Sequence, residues 1–200
     1  MDEIWKFLDQ SLVGCDYVSV QTILEEYPDI VNYQVGESTP LHRAVMECGD
    51  DSIVSMLLSV PGIDVTIQDC DGDTAFHLAV AQGRVMLAKK MLDINPAVIS
   101  IPDRNGEYPL HYACEEIRML MIFFSVDTVD HTKTIINTRN KDGYTPLELA
   151  CRYRTKMAVL FLIKNGAEIT KNKLYRERIS KYIRLFKIVR SVRRVRRKLF

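Results

Sequence analysis

The chain has 200 residues, of which 47% are apolar and 26% charged, with a net charge of +1. Its N-terminus MDEIWKFLDQ carries acids where a secretory signal needs basic residues, and its longest apolar runs are too short to cross a bilayer. Five cysteines in no paired spacing indicate buried thiols in a reducing compartment. We therefore expect a soluble protein of the cytoplasm, the nucleus or both, which is not secreted.

Four segments of the chain repeat one another. They are GESTPLHRAV from Gly36, DGDTAFHLAV from Asp71, NGEYPLHYAC from Asn105 and DGYTPLELAC from Asp142. The alanine that all four share stands at positions 44, 79, 113 and 150, at spacings of 35, 34 and 37 residues. A fixed period in the thirties indicates a repeat protein, in which each unit is buried only against its neighbours.

Each repeated segment predicts a tight turn followed by a short helix. Glycines at the turn tips supply backbone of positive φ, threonines cap the helix start, and proline suits the first helical position. The residues in these roles are Gly72, Gly106 and Gly143, then Thr39, Thr74 and Thr145, then Pro40, Pro109 and Pro146.

A second apolar helix follows in every unit. The predicted ranges are Ser52–Val60, Val85–Asp93, Ile117–Ser125 and Met157–Gly166. In the first helix, the Leu-x-x-Ala spacing puts one large and one small apolar residue on the same face, which allows neighbouring repeats to stack closely. The third unit also has a long polar insertion, Val126 to Asn140, which we expect to form an extended finger.

The recurring T-P-L-H-x-A pattern makes the stretch from Tyr17 to Thr170 resemble the ankyrin-repeat family. The resemblance implies an all-α solenoid of helix-turn-helix repeats with hairpin fingers. It implies a degenerate N-terminal repeat at 1–34, with MDEIWKFLDQSL as its first helix, and four repeats at 35–170. This sequence departs from the pattern at Ala75 for proline, Tyr108 for threonine and Glu148 for histidine.

The histidines of the pattern are His42, His77 and His111. The resemblance implies that each ring is tied to the threonine of its repeat and to loop backbone. Three equivalent copies favour this structural role over catalysis, because a reaction needs one site and not a row of equal ones.

The remaining motifs argue against an enzyme or a metal protein. Asp69, Asp71 and Asp73 alternate as in a calcium loop, but Gly72 precedes the third acid and Val80 occupies the place of the twelfth-position glutamate. The chain has no C-x-x-C, no H-E-x-x-H, no P-loop and no G-x-S-x-G. We therefore expect no cofactor, no metal, no small-molecule substrate and no enzymatic activity.

Charge divides the chain in two. Up to Thr170 there are 14 Lys and Arg against 25 Asp and Glu, a net charge of −11, whereas residues 171–200 carry 13 basic residues and one acid, a net charge of +12. This tail holds neither Pro nor Gly, and its apolar residues recur every three or four positions. It therefore predicts a basic amphipathic helix at 171–200, about seven turns long from Leu174.

Two roles for this helix stay open. Its first half, with Ile179, Tyr182 and Phe186, suits a cap over Leu160 and Leu162 of the last repeat, because an open repeat end must be covered. Its far end is dense in basic residues and suits an anionic partner, which is a membrane surface, a nucleic acid, a calmodulin-like protein or a nuclear import receptor. Folding back on the acidic solenoid is the other use of this charge. The residues assigned to that partner are Arg190, Arg193, Arg194, Arg196, Arg197 and Lys198.

The resemblance implies a protein partner on the concave surface formed by the fingers and the first helices, where the family varies its residues. Tyr and Arg are the residue types that most often anchor such interfaces. The positions predicted to bind the partner are Gln68, Asp71, Asp73, Gln82, Arg104, Asn105, Glu107, Glu115, Glu116, Arg139, Lys141, Tyr144, Arg152 and Tyr153.

The leading hypothesis is a non-enzymatic scaffold, adaptor or inhibitor that acts through protein–protein interaction. A narrower alternative is an inhibitor similar to the NF-κB-binding ankyrin proteins, deployed by a virus or another intracellular pathogen, because GDTAFHLAV and the insertion of the third unit resemble those proteins. The other alternative is an adaptor whose tail binds an anionic membrane or nucleic acid while the solenoid carries cargo.

Overall fold

The structure, a computed structural model, describes residues 1–125 and 129–199, with side chains at all of these except 129 and 188–199. The described residues form helices joined by loops, and their only β structure is two isolated bridges, Val35 with Ser38 and Gln68 with Thr74. The all-α prediction is confirmed.

Twelve α-helices occur among the described residues, together with 3-10 turns at Pro28–Asn32, Pro96–Ser100 and Ala113–Glu115. The α-helices are α1 (Asp2–Val13), α2 (Tyr17–Glu26), α3 (Pro40–Glu47), α4 (Asp51–Ser59), α5 (Ala75–Ala81), α6 (Val85–Ile94), α7 (Pro109–Tyr112), α8 (Ile117–Phe123), α9 (Val129–Ile135), α10 (Pro146–Arg152), α11 (Lys156–Lys164) and α12 (Lys173–Leu199).

The helices stack in two layers. The inner layer is made of the first helices, in which α3 packs on α5, α5 on α7 and α7 on α10. The outer layer is made of the second helices, in which α4 packs on α6, α6 on α8 and α8 on α11. The four predicted second helices are confirmed, with ends that differ from the predicted ones by at most two residues. This layering is the solenoid that the repeat predicts.

The core runs unbroken from α1 to α12. Ala44, Ala79, Ala113 and Ala150 are all 0–1% exposed, since small side chains let the first helices approach one another closely. The expectation of buried thiols is correct for Cys48, Cys114 and Cys151 but wrong for Cys15 and Cys70, which are exposed. Cys70 lies on a finger and Cys15 in the turn between α1 and α2, and in both places the chain runs over the surface.

The predicted N-caps Thr39, Thr74 and Thr145 are confirmed, each accepting a hydrogen bond from the backbone N–H three residues later. The predicted ties of the histidines are seen most fully at His42, whose Nδ1 lies 2.7 Å from Thr39 Oγ1 and whose Nε2 lies 3.1 Å from the carbonyl oxygen of Asp73 in the next finger. Burial lowers the pKa of all three histidines, that of His77 to about 4.

Glu148 takes the histidine's place in the fourth repeat. Its Oε2 accepts from Thr145 N–H at 3.1 Å and from Arg139 at 3.0 Å, while its Oε1 accepts from the Thr170 hydroxyl. Although burial opposes it, this set of donors keeps the pKa of Glu148 below its ordinary value.

The insertion of the third unit differs from the expected polar finger. Its residues 126–128 lie outside the described residues, but the following segment forms the helix α9 and packs against the 3-10 turn at Pro96–Ser100. Ile135 and Ile136 are each 3% exposed, and Thr132 donates to the carbonyl oxygen of Phe123. The apolar pair supplies core to the third repeat, whose first helix α7 is only four residues long.

The first turns of the tail helix α12 cover the end of the solenoid. Ile179 and Tyr182 are 1% and 7% exposed against α10 and α11, and Arg178 donates to the carbonyl oxygen of Cys151 at 2.6 Å. Phe186, also predicted to belong to the cap, is 39% exposed, and its neighbour Leu185 is 43% exposed. Among the described helices, none is long and apolar enough to pass through a membrane.

Candidate binding surface

The fingers owe their shape to an acid or amide at the base of each turn. Asp69 Oδ1 accepts from the backbone N–H of Asp71 and of Asp73, both at 2.9 Å. Asp103 does the same for Asn105 and Glu107, at 2.8 and 2.7 Å, and Asn140 accepts from Tyr144 at 2.8 Å. No turn role was predicted from the sequence for these three residues. Their signal is an Asp or Asn three positions before each tip glycine.

Neighbouring fingers are joined by hydrogen bonds. Arg104 N–H donates to the carbonyl oxygen of Asp71 at 2.9 Å, and Lys141 N–H donates to that of Asn105 at 2.8 Å. The amide of Gln68 adds bonds to the carbonyl oxygens of Gly72 at 2.6 Å and Pro102 at 2.9 Å. The two backbone bonds join the second, third and fourth fingers into one edge, whatever side chains stand at their tips.

The structure places the predicted partner-binding residues on that edge and on the adjoining first helices. Four of them, Asp73, Glu107, Glu116 and Tyr144, are partly buried. The others are exposed, namely Gln68, Asp71, Gln82, Arg104, Asn105, Glu115, Arg139, Lys141, Arg152 and Tyr153.

The middle of the surface is acidic. Burial, followed by the charges of Asp69, Asp103, Asp71 and Glu107, raises the pKa of Asp73 to about 7. The nearby cation Arg104 lies 3.6 Å from Glu37 across the fingers. Among the ion pairs of the described side chains, none includes Asp69, Asp71, Asp73, Asp103, Glu107, Glu115 or Glu116. This uncompensated charge favours a cationic ligand.

The last repeat offers aromatic and basic groups. The Arg152 guanidinium lies 5.3 Å from the centre of the Tyr144 ring, and Tyr153 is 46% exposed. A cleft of about 100 Å³ lies beside Tyr153, and burial together with the charges of Glu115 and Glu107 raises the pKa of Tyr153. The residues that line this cleft are Ala81, Glu107, His111, Tyr112, Glu115, Leu149 and Tyr153.

The tail carries the other charged surface. On its described part, Lys181, Arg184 and Lys187 are exposed next to Leu185. The residues assigned to an anionic partner, Arg190, Arg193, Arg194, Arg196, Arg197 and Lys198, lie outside the described side chains. Within the described part of the chain, no three His, Cys, Asp or Glu side chains come together as metal ligands would.

The chain is similar to known repeat proteins over most of its length. A family model described as ankyrin repeats (3 copies) matches residues 41–122 and 103–173. The chain is 26% identical over 133 residues to the mouse (Mus musculus) B-cell lymphoma 3 protein homolog, which covers 66% of this chain and 30% of that protein. It is 29% identical over 134 residues to mouse NF-kappa-B inhibitor zeta, covering 65% and 17%.

An ankyrin repeat protein of Fowlpox virus (strain NVSL) is 30% identical over 132 residues, which is 65% of each chain. The chain thus spans less than two thirds of the length of each of these relatives.

Proposed function

The chain belongs to the ankyrin-repeat family, and from this membership we propose that it is a non-enzymatic interaction module that holds a protein partner on its concave surface, made of the fingers and of α3, α5, α7 and α10. The observation that carries the proposal is the hydrogen-bonded edge of fingers with exposed side chains of mixed chemistry beside it. A surface that is already ordered loses little conformational entropy on binding.

The test is affinity capture of partners with the full chain and two matched variants. Tyr153→Ala removes a side chain that is 46% exposed on the concave surface, and Met157→Ala removes one that is 57% exposed on the second helix of the same repeat. We expect Tyr153→Ala to weaken the capture at least tenfold and Met157→Ala to leave it unchanged, since aromatic anchors dominate interfaces. Equal losses in both variants would contradict the proposed surface.

The negative charge of the surface indicates which kind of partner segment it favours. The uncompensated acids around Asp73 fit a basic segment of the partner, and reversing rim charges mainly slows association and changes its salt response. Asp71→Lys combined with Glu116→Lys is therefore expected to slow binding and flatten its salt dependence while the thermal melt is retained. Faster binding of the double variant would indicate an acidic partner instead.

A narrower candidate is inhibition of NF-κB. The support is the similarity to the mouse protein that is named as an NF-kappa-B inhibitor. The direct test is calorimetric titration of purified NF-κB dimers with the full chain. Size-exclusion chromatography of the mixture is the second measurement. If both proteins at micromolar concentrations give no heat of binding and do not co-elute, NF-κB inhibition is excluded and the general binding function stands.

A second interaction surface is the basic tail. The support is the exposed row of Lys181, Arg184 and Lys187 beside Leu185, because basic residues interleaved with apolar ones suit the boundary between lipid headgroups and acyl chains. We expect the full chain to sediment with anionic phosphatidylserine vesicles and not with neutral ones, and a chain that ends at Lys187 to bind more weakly. Stronger binding of duplex DNA than of the vesicles would assign the tail to nucleic acid. Capture by an import receptor, without binding of DNA or of vesicles, would assign the tail to nuclear import.

A further inference from the structure

Cys15 and Cys48 are two cysteines that the packing of α1 and α3 places next to each other. Cys15 lies in the turn between α1 and α2, and Cys48 ends α3. Cys15 Sγ lies 3.8 Å from the carbonyl oxygen of Glu47, the residue before Cys48. The carbonyl oxygen of Leu12 accepts both from Cys48 Sγ at 3.2 Å and from Cys15 N–H at 3.1 Å. Tertiary packing of the first three helices therefore brings together two thiols that are distant in sequence.

The two thiols differ in their access to solvent. Cys15 is exposed and holds a φ of +51°, a backbone conformation that glycine or asparagine adopts more readily than cysteine. Cys48 is 2% exposed. An exposed thiol next to a buried one is the arrangement in which the first reacts with a solute and the second resolves the product.

We propose that Cys15 and Cys48 form a thiol–disulfide exchange site for a small disulfide of the glutathione type. The Cys15 thiolate attacks one sulfur of that disulfide, forms a mixed disulfide and releases one thiolate. Cys48 then loses its proton, attacks the Cys15 sulfur and displaces the second thiolate. In total two protein thiols are oxidised to one internal disulfide, and the small disulfide is reduced to two thiols.

The second step is the slow one. Burial raises the pKa of the Cys48 thiol. This cause persists in the mixed disulfide, in which Cys15 carries neither a proton nor a charge. Well below its pKa, the thiolate fraction of a thiol rises about tenfold per pH unit. We therefore expect resolution to accelerate by nearly that factor between pH 7 and pH 8, while the mixed disulfide on Cys15 accumulates at the lower pH.

The internal disulfide ties the α1–α2 turn to the end of α3. It joins the N-terminal helices covalently to the first regular repeat, beside Met46 and Glu47, which are exposed at the end of α3. A cross-link over a loop of this size restricts the unfolded chain and is expected to raise the melting temperature by roughly 5–10 °C.

The experiment uses the full chain, native buffer and glutathione disulfide, with intact mass and peptide mapping over time. Wild type is expected to pass through a mixed disulfide on Cys15 and to end with a Cys15–Cys48 link that dithiothreitol reverses. Cys48→Ser is expected to stop at the mixed disulfide, and Cys15→Ser to form no internal link. Cys70, exposed on a finger, is the internal control and is expected to retain a mixed disulfide.

Three results would overturn the proposal. One is a wild-type chain in which Cys15 and Cys70 both end as mixed disulfides. Another is a Cys15–Cys48 link that forms only when urea is added, and the third is a dimer linked through Cys15 in place of the internal disulfide. Circular dichroism of each variant before oxidation establishes that the compared chains are folded.

Discussion

The second and the fourth repeats fix the same part of the structure with different side chains. In the second repeat, neutral His77 serves the start of α5, and the unit is packed between neighbours on both sides. In the fourth repeat, the carboxylate of Glu148 serves the start of α10, and α12 takes the place of a further repeat.

The difference follows from what each residue has to reach. A histidine inside the array has a further repeat on its C-terminal side, and His42 of the first repeat shows the contacts that result. One of its ring nitrogens contacts the threonine of its own repeat, and the other contacts the next finger. The fourth repeat is followed by the segment that leads to the tail. Glu148 meets Arg139 of its own finger and Thr170 of that segment, and the ionised carboxylate suits this set of donors.

The largest loss of stability is expected from removal of α12, which covers the fourth repeat and not the second. A chain that ends at Asn172 exposes the surface that Ile179 and Tyr182 cover, and burial of a large apolar side chain contributes about 1.5–3 kcal/mol. We therefore expect the free energy of unfolding to fall by about 3–6 kcal/mol in urea denaturation. The matched control ends at Lys187 and keeps both side chains, so an equal loss in the control would contradict the division of α12 into a cap and an exposed part.

Acid should weaken the second repeat through His77. Its pKa of about 4 in the folded chain lies below the ordinary 6.5, so the unfolded chain binds the proton first. Stability from His77 is therefore complete above pH 6.5 and is lost as the pH falls from 6.5 to about 4, in total roughly 3 kcal/mol. Urea denaturation of wild type and His77→Gln at pH 7 and pH 5 measures this contribution of His77 to the free energy of unfolding.

In that experiment the variant is expected to lose less stability than wild type between the two pH values. Asp73, whose pKa is raised to about 7, changes stability in the opposite direction in both chains, so the difference between them isolates His77. Glu148 has a lowered pKa, and its contribution is lost only below its ordinary value of 4.5. Parallel pH profiles for wild type and variant would contradict the burial of a neutral ring at position 77.

Two equivalent glycines test how tightly the fingers are packed. Gly72 and Gly143 have φ of +79° and +82°, so an added Cβ strains both turns by about 1–2 kcal/mol. At Gly72 that Cβ would also lie 2.6 Å from the backbone nitrogen of Arg104, whereas at Gly143 it meets nothing within 4 Å. Gly72→Ala is expected to cost about 2–3 kcal/mol and Gly143→Ala about 1 kcal/mol less. Thermal melts that rank the two variants equally would show that the middle fingers can separate freely.

The smallest effect concerns the charge of Glu148. Glu148→Gln keeps an acceptor for Thr145 N–H but replaces charge-assisted hydrogen bonds with neutral ones. The expected loss is about 1 kcal/mol, measured by urea denaturation at pH 7. Arg139→Gln removes one donor and is the control for the ion pair alone. A variant as stable as wild type would mean that the carboxylate at this position acts only through its shape.

The candidate surface could be placed from the sequence only in part. The period and the threonine caps position the fingers and first helices, and the family resemblance then indicates which of their residues, such as Gln82 and Tyr153, vary. Their surroundings could not be predicted, because the partial burial of Asp73 and the bond of Gln68 to Pro102 depend on the next finger, which stands more than thirty residues away in the chain.

The tail shows the same limit. Its helix followed from the absence of Pro and Gly and from the spacing of its apolar residues. The degree to which each apolar side chain is covered did not, because the burial of Ile179 and Tyr182 and the exposure of Leu185 depend on contacts with α10 and α11.

The sequence by itself determined the repeat, the helix starts, the two-layer solenoid and the division of charge, since each of these rests on interactions between residues that are close in the chain or that recur at a fixed period. Only the tertiary structure decided the contacts of Glu148 with Arg139 and Thr170, the burial of Ile135 and Ile136 in a segment that reads as polar, and the meeting of Cys15 with Cys48. These depend on distances between elements that are far apart in sequence, and such distances are set by packing, which no local pattern encodes.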